Sequence, residues 1–319
     1  MHEFQLISKF FSKLSVNNNS SLNLNDDVFF DKTKNLVVSV DTYVEGIHFI
    51  DFKKPDLVIK KIIRSSISDI ICKGVKPKYY FISGSGNKKT FSSSNLRKIS
   101  RSLKQEQNKY NIFLCGGDTV YSNKLSFTIT SIGFSQKILF RNNAKLNDDI
   151  YVTGTLGDSF AGLKILKKKI NTINSLNRYF VNKYYLPNLH LKLSNKLLSF
   201  ANTSIDISDG LISDLEKLIN KQKLSYRLDL SSIPISKNLN KLIIQKKLDK
   251  ISFISQGDDY QILFTANSSK SRIINKTAKS LGIKISKIGK ICSSIKKSQI
   301  IDQKGNKIAI KNKGYYHQF

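Results

Sequence analysis

Of the 23 acidic residues, only Glu3, Glu45, Glu106 and Glu216 are glutamate; the rest are aspartate. A short, stiff carboxylate suits positions where the backbone must hold an oxygen still. In ANTSIDISDGLISDL (201–215), Asp206 stands between Ile205 and Ile207, and Asp209 follows within a turn. A carboxylate at the end of an apolar strand is costly unless it is paired or bound to a cation. For Ser208 or Asp209 the simpler expectation is an N-cap of the following helix. The arrangement recurs at Asp26 and Asp27 in NLNDDVFF, at Asp41 ending VVSVD, at Asp69 within SSISDIICKG, and at Asp118 after FLCGG. Paired glycines before Asp118 allow close backbone approach. Carboxylates gathered like this call for several hard cations, and magnesium with phosphate oxygens fits that chemistry best. GDSFAGLK (157–164) carries Leu163 where a Walker A loop needs lysine, and SGSGN (83–87) reads as a turn.

The elements that must position these carboxylates alternate between strand and helix. NLVVSVD (35–41) is a β-branched run ending on Asp41. Residues 56–73 carry Val58, Ile62, Ile63, Ile67, Ile70 and Ile71 at helical spacing and stop at Gly74 and Pro77. A polar helix over 93–109, a strand at NIFLC and an alternating strand over 124–134 complete the first half. Residues 142–149 (NNAKLNDD) are turn-rich and mark the expected boundary between domains 1–141 and 142–319. The second half reads as strand DIYVTG, helices over 158–169 and 188–200, strand 203–207, helix 209–220 and strand 224–230. Strand 261–266, helix 268–281 and strand 284–291 follow. The N-terminal stretch reads as an amphipathic helix with Phe4, Ile7, Phe10, Phe11 and Leu14 on one face. The class is α/β (α+β), in two similar-sized halves.

Composition narrows the partners. At 319 residues and 40% hydrophobic, the chain can bury a real core, and no apolar run approaches a membrane span. Cys72, Cys115 and Cys292 are far apart and odd in number, which supports neither disulfides nor zinc and makes a reducing cytoplasm the simplest reading. The net charge of +30 raises nucleic acid as a partner, but the lysines are scattered and lack aromatic interleaving, so a solvated basic surface is expected instead.

NDDVFF, SVDTYVEGIHF, SISDIICKG, CGGDT, LFRNNAKLNDDIYVTGTLGDSFAGL, SIDISDGLISDL, QGDDYQILF and KGYYHQF stand in this order along nearly the whole chain. Together they resemble the thiamine-monophosphate kinases, of the ATP-binding superfamily shared with aminoimidazole ribonucleotide synthetase and selenophosphate synthetase. The resemblance implies an aminoimidazole ribonucleotide synthetase-like fold. In it, an N-terminal α/β domain binds ATP and metal and pairs in a homodimer, and a C-terminal α/β domain follows. It implies ATP-dependent phosphorylation of thiamine monophosphate, without a phosphoenzyme. Carried over by position, magnesium ligands fall on Asp27, Ser39, Asp41, Asp69, Asp118, Asp206 and Asp209. Nucleotide contacts fall on Gly117, Asp118, Arg141 and Ser208, and substrate contacts on His48, Asp258 and Tyr315. Asp41, Asp118 and Arg141 would carry the transfer itself. The alternative within the superfamily is activation of another small metabolite, against which GIHF, GDDY and KGYYH stand.

Several positions depart from the family's pattern. Asn23 and Asn25 replace glycines before the paired aspartates, and Val40 stands where threonine is frequent. Asp258 replaces a glutamate, Gln256 a glycine, and Gln318 is inserted between His317 and Phe319.

Overall fold

The computed structural model describes residues 3–317. Strands β1 (Phe29–Asp31), β2 (Leu36–Val44), β3 (Pro77–Gly86), β4 (Phe113–Gly116), β5 (Thr119–Tyr121) and β6 (Ser126–Phe134) form the first sheet. Its order is β1-β2-β6-β3-β4, with β5 also paired to β3. The second sheet runs β12-β9-β11-β7-β10-β8. Its strands are β7 (Asp149–Thr153), β8 (Thr203–Asp206), β9 (Leu224–Asp229), β10 (Ile262–Ala266), β11 (Ile285–Ser293) and β12 (Gln299–Ile301). The helices are α1 (Glu3–Leu6), α2 (Pro55–Cys72), α3 (Ser93–Tyr110), α4 (Asp158–Leu166), α5 (Asn174–Tyr185), α6 (Ser194–Leu197), α7 (Leu211–Leu218), α8 (Lys237–Lys246), α9 (Lys250–Ile254) and α10 (Ser271–Leu281). This is a mixed α/β fold, and no helix among the described residues is long and apolar enough to cross a membrane.

Helix α2 joins the two sheets. It is buried nearly all round. Ile59, Ile62, Ile63 and Ile67 share one core with Tyr43, Phe127 and Ile129 of the first sheet and with Tyr151 and Phe264 of the second. Each such isoleucine contributes about 1.5–3 kcal/mol by leaving water. The polar members of α2 are buried too: Lys61, Arg64, Ser66 and Ser68. Arg64 forks onto Glu106 of α3, with Nε and Nη2 at 2.8 and 2.9 Å, and donates to the Pro187 carbonyl at 3.1 Å.

The two-residue period of β2 explains why its carboxylate faces inward. Val37, Ser39 and Tyr43 are buried, Asp41 is half-buried on the same face, and Val40 points out on the other. Asp206 ends β8, opposite Ile262 of β10, as the apolar run around it suggests.

Several sequence expectations need correction. The N-terminal stretch is not one helix. α1 gives way to a wide turn at Ile7–Phe11 and a tight one at Ser12–Ser15, and Phe10, Phe11 and Leu14 are exposed because no element covers them. Phe4's side chain and residues Gln318 and Phe319 lie outside the described residues. The helix expected over 188–200 is only a tight turn and the four-residue α6, because the chain leaves α5 through Pro187. Helices α5, α8 and α9 and strands β1, β3, β5 and β12 have no counterpart in the sequence reading, and SGSGN (83–87), expected as a turn, lies largely within β3. Asn23 adopts a left-handed φ of 56°, as the replaced glycine could, and Leu22 and Leu24 share that conformation.

Candidate active site

Three carboxylates converge where α2 passes between the sheets. Asp69 accepts a 2.6 Å bond from Ser39 Oγ. Burial holds its carboxyl well above the usual range, and the charges of Asp41 and Asp206 add to the effect. Asp41 is raised to about 6, chiefly by desolvation, with bonds from Tyr43 and Ser66 opposing. Asp206 is likewise raised to about 6, by burial first and then by repulsion from Asp214 and Asp41, while Ser68 and Lys73 oppose. Asp206 is 2% exposed, and its Oδ2 has no hydrogen-bond partner. A buried, orphaned carboxylate oxygen facing two other acids is an arrangement that a bound cation would relieve. Among the described residues no ready-made cage of three or more His, Cys, Asp or Glu ligands exists. Oxygens from water or a bound phosphate would therefore complete any metal's shell.

Beside this group, Asp26 and Asp27 are engaged by protein cations. Lys73 Nζ lies 2.7 Å from Asp26 Oδ1 and 2.6 Å from Asp27 Oδ2. Arg141 forks onto Asp27, with Nε 3.2 Å from Oδ2 and Nη2 on Oδ1, and its backbone N–H donates to Asp26 Oδ2 at 2.9 Å.

The start of α7 forms another part. Neither Ser208 nor Asp209 caps the helix. The N-cap is Gly210, and Asp214 accepts the backbone N–H groups of Asp209 and Gly210, both at 3.0 Å. Asp209's carboxylate is instead held by Lys217 Nζ, which also lies 2.8 Å from Asp214 Oδ1. Ser208 lies against Gly257, where a Cβ would come within 1.6 Å of the Ser208 carbonyl oxygen; only glycine permits that approach.

Asp118 stands apart and exposed. Its carbonyl accepts from Gly84 N at 2.8 Å, and Gly117 is pressed so closely to β3 that a Cβ would fall 1.8 Å from the Ile82 oxygen. Around it the sheet presents Phe81, Phe113, Leu114, Val120 and Tyr121, all exposed.

On the opposite side, His48 Nδ1 accepts the Val44 N–H at 3.0 Å, which leaves the proton of the neutral ring on Nε2. Burial, and then the charge of His317, hold its pKa down at about 4. The His48 and His317 rings are 5.4 Å apart, and Tyr315 meets His317 edge-on at 5.0 Å. Asp258 has a left-handed φ of 69° and pairs with Lys61 at 2.8 Å. A cavity of about 800 Å³ opens between the N-terminal segment and α7, and Leu24, Asp26, Arg141, Lys217, Asn220 and Tyr316 are among its walls.

The family model described as AIR synthase related protein, N-terminal domain, matches residues 25–135. A thiamine-monophosphate kinase of Buchnera aphidicola subsp. Schizaphis graminum is 35% identical over 325 residues, covering 99% of this chain and 98% of that protein. The chain belongs to the thiamine-monophosphate kinase family. The solved thiamine-monophosphate kinase of Stenotrophomonas maltophilia K279a superposes with a TM-score of 0.77 at 25% identity, over 95% of this chain and 97% of its own. AaThiL, solved with AMPPCP and TMP, shares the fold with a TM-score of 0.85 at 24% identity, over 99% and 97% of the two chains.

For a thiamine-monophosphate kinase, the candidate residues fall into distinct groups. Ser39, Asp41, Asp69 and Asp206 come together, Asp27 pairs with Arg141, and Ser208 and Asp209 lie at α7. His48 neighbours the tail bearing Tyr315, and Asp258 exchanges charge effects with His48. Gly117 and Asp118 lie on the exposed sheet edge. Sequence reasoning missed Lys61, Lys73, Asp214 and Lys217. Among 53 basic residues a single lysine carries no signal, whereas Asp214, within the same SDGLISDL block as Asp209, could have been found by its spacing.

Proposed function

We propose that this chain phosphorylates thiamine monophosphate with ATP, giving thiamine diphosphate and ADP by direct in-line transfer. A terminal phosphate oxygen of thiamine monophosphate would attack the γ-phosphorus of ATP as the bond to the β,γ-bridging oxygen breaks. The single observation that carries this reading is Asp206, whose buried, unpartnered oxygen faces Asp41 and Asp69 at the junction of the two sheets. In the family the chain belongs to, that junction is where phosphate oxygens and hard cations are expected. Magnesium, when bound, would neutralise the phosphates and align attacking and leaving oxygens.

The chain's own groups would do the positioning. Ser39, Asp41, Asp69, Asp118, Asp206 and Asp209 would hold the cations. Gly117, Asp118, Arg141 and Ser208 would meet the nucleotide, whose nucleoside end fits the 800 Å³ cavity beside Arg141. His48 would donate from Nε2, Asp258 would accept from the pyrimidine amino group, and Tyr315 would pack on the cationic heterocycle. The acceptor oxygen is already anionic at neutral pH, so no general base is needed, and positioning with charge neutralisation supplies the acceleration.

Residues 1–141 would form the ATP- and metal-binding domain and residues 142–319 the C-terminal domain, in a cytoplasmic enzyme. The exposed Phe81, Phe113, Leu114, Val120 and Tyr121 support pairing of two copies through the first sheet, which would enclose Asp118. The test is incubation with ATP, magnesium and thiamine monophosphate, followed by chromatography. Thiamine diphosphate should accumulate with matching ADP, and ATP consumption without it would reject the acceptor.

A further inference from the structure

Asp26 and Asp27 differ from Asp206 in having all four carboxylate oxygens met by protein donors. Asp26 Oδ1 takes the Asp27 N–H at 2.8 Å and Lys73 Nζ at 2.7 Å, while Oδ2 takes the Arg141 N–H at 2.9 Å. Asp27 Oδ2 takes Lys73 Nζ at 2.6 Å and Arg141 Nε at 3.2 Å, and Oδ1 takes Arg141 Nη2. The two acid side chains are only 4% and 9% exposed, and Lys73 is 0% exposed. Its ammonium has a third partner, the Ser204 carbonyl oxygen at 3.0 Å. All three of its donors are therefore spent on oxygen, in a shell of the kind a hard cation would gather.

We propose that Lys73 is a built-in cation which, with Arg141, answers the charge of Asp26 and Asp27. Magnesium then gathers on Asp41, Asp69 and Asp206 and not on Asp27. The inference rests on the reading that the aspartate cluster binds magnesium, and it removes Asp27 from the ligand set that the family resemblance implies. A dication on Asp27 Oδ2 would face the ammonium across a few ångströms with no room for water between them. Lys73 has no way out: it ends α2, is sealed on every side, and is tied across to β8 through Ser204. Asp206, by contrast, has an oxygen without a partner. The charge of Lys73 also reaches Asp69 and Asp206, but its three donors are spent elsewhere, and of Asp41, Asp69 and Asp206 only Asp206 keeps a buried oxygen without a partner.

The test counts bound manganese by electron paramagnetic resonance, with a non-hydrolysable ATP analogue present, on full-length protein. Asp27→Asn should bind as many ions as wild type. Lys73→Met should gain an additional ion, and manganese should raise its melting temperature more than that of wild type, because the metal then replaces the lost ammonium. Asp206→Asn should lose an ion. An ion lost from folded Asp27→Asn, or no ion gained by folded Lys73→Met, overturns the proposal. If Lys73→Met does not fold, Asp27→Asn decides alone. A wild-type count in Asp206→Asn would defeat the magnesium reading itself, and this inference with it.

Discussion

Lys61 Nζ lies 2.8 Å from Asp258 Oδ1, inside a side chain that is 1% exposed. The same ammonium donates to the Tyr184 carbonyl at 3.2 Å and stands 3.8 Å from the centre of the Tyr184 ring. The Tyr260 hydroxyl donates to the same Asp258 oxygen at 3.1 Å. One oxygen of Asp258 is therefore saturated from within the protein, and Oδ2 remains for a ligand. Lys61 thus fixes which oxygen is offered. Asp258 is a methylene shorter than the glutamate it replaces, so small changes in its placement should matter.

Lys61→Met should accordingly raise the KM for thiamine monophosphate by about tenfold, the worth of one charge-assisted hydrogen bond, and change that for ATP much less. Lys61→Arg should recover part of the loss. Steady-state kinetics with each substrate varied in turn reads the difference. An equal rise in both constants would reduce Lys61 to a structural role.

Asp41 and Asp206 make the metal-free protein pH-sensitive in a defined direction. Their folded pKa values are about 6, against 3.8 for an ordinary aspartate. Between those values the folded state holds protons that the unfolded chain has released, so stability falls as pH rises through that window. Metal-free protein should melt at a lower temperature at pH 7 than at pH 5. Asp206→Asn should flatten the slope and raise the pH 7 melting temperature by a few degrees. Added magnesium and ATP analogue should act oppositely, with a thermal shift that grows with pH as the ligands ionise. A mutant with the wild-type slope and the full ligand-induced shift would make Asp206 merely the end of a strand.

If the proposed magnesium reading holds, Asp41→Asn and Asp118→Asn should each reduce turnover by at least ~100-fold, because each would remove a ligand charge beside the transferring phosphates. Their stabilities should differ. Asp41 is desolvated, so its amide should melt at or above wild type without metal, whereas exposed Asp118 should leave the melting temperature unchanged. Turnover near wild type at saturating magnesium in either folded variant would remove it from the machinery.

Much of this site was legible because a carboxylate inside an apolar run is conspicuous. Asp206 between two isoleucines and Asp69 within ISDII could be read without coordinates. Their counter-cations could not. Lys61, Lys73 and Lys217 look like surface lysines in a chain of +30, and only packing shows that each faces an acid. Elements were lost for a related reason. Helix α5 buries only Phe180, Tyr184 and Tyr185, and α8 only Leu239 and Leu242, which is too little periodicity to stand out. The N-terminal stretch failed the other way, because its apolar stripe has no core to meet.

The tail joins the regions proposed for the two substrates through one stretch of backbone. Ser213 N donates to the Lys313 carbonyl at 2.9 Å and Tyr315 N to that of Asp209 at 3.0 Å. A Cβ on Gly314 would meet Ser213 Cβ at 2.5 Å and the Asp209 oxygen at 2.8 Å, so the segment is seated directly on the start of α7. Tyr316 walls the large cavity, while His317 reaches the His48 ring. Truncation before Gly314 should therefore raise the KM for both substrates. His317→Ala, which keeps the anchoring backbone, should raise only that for thiamine monophosphate, by about threefold for the loss of a ring contact. With its pKa at about 4, His48 stays neutral from pH 6 to 8, and the KM for thiamine monophosphate should show no histidine titration there. A titration near pH 6.5 that vanishes in His48→Gln would show that the ring charges in the working enzyme, and that donation from a neutral Nε2–H is the wrong assignment.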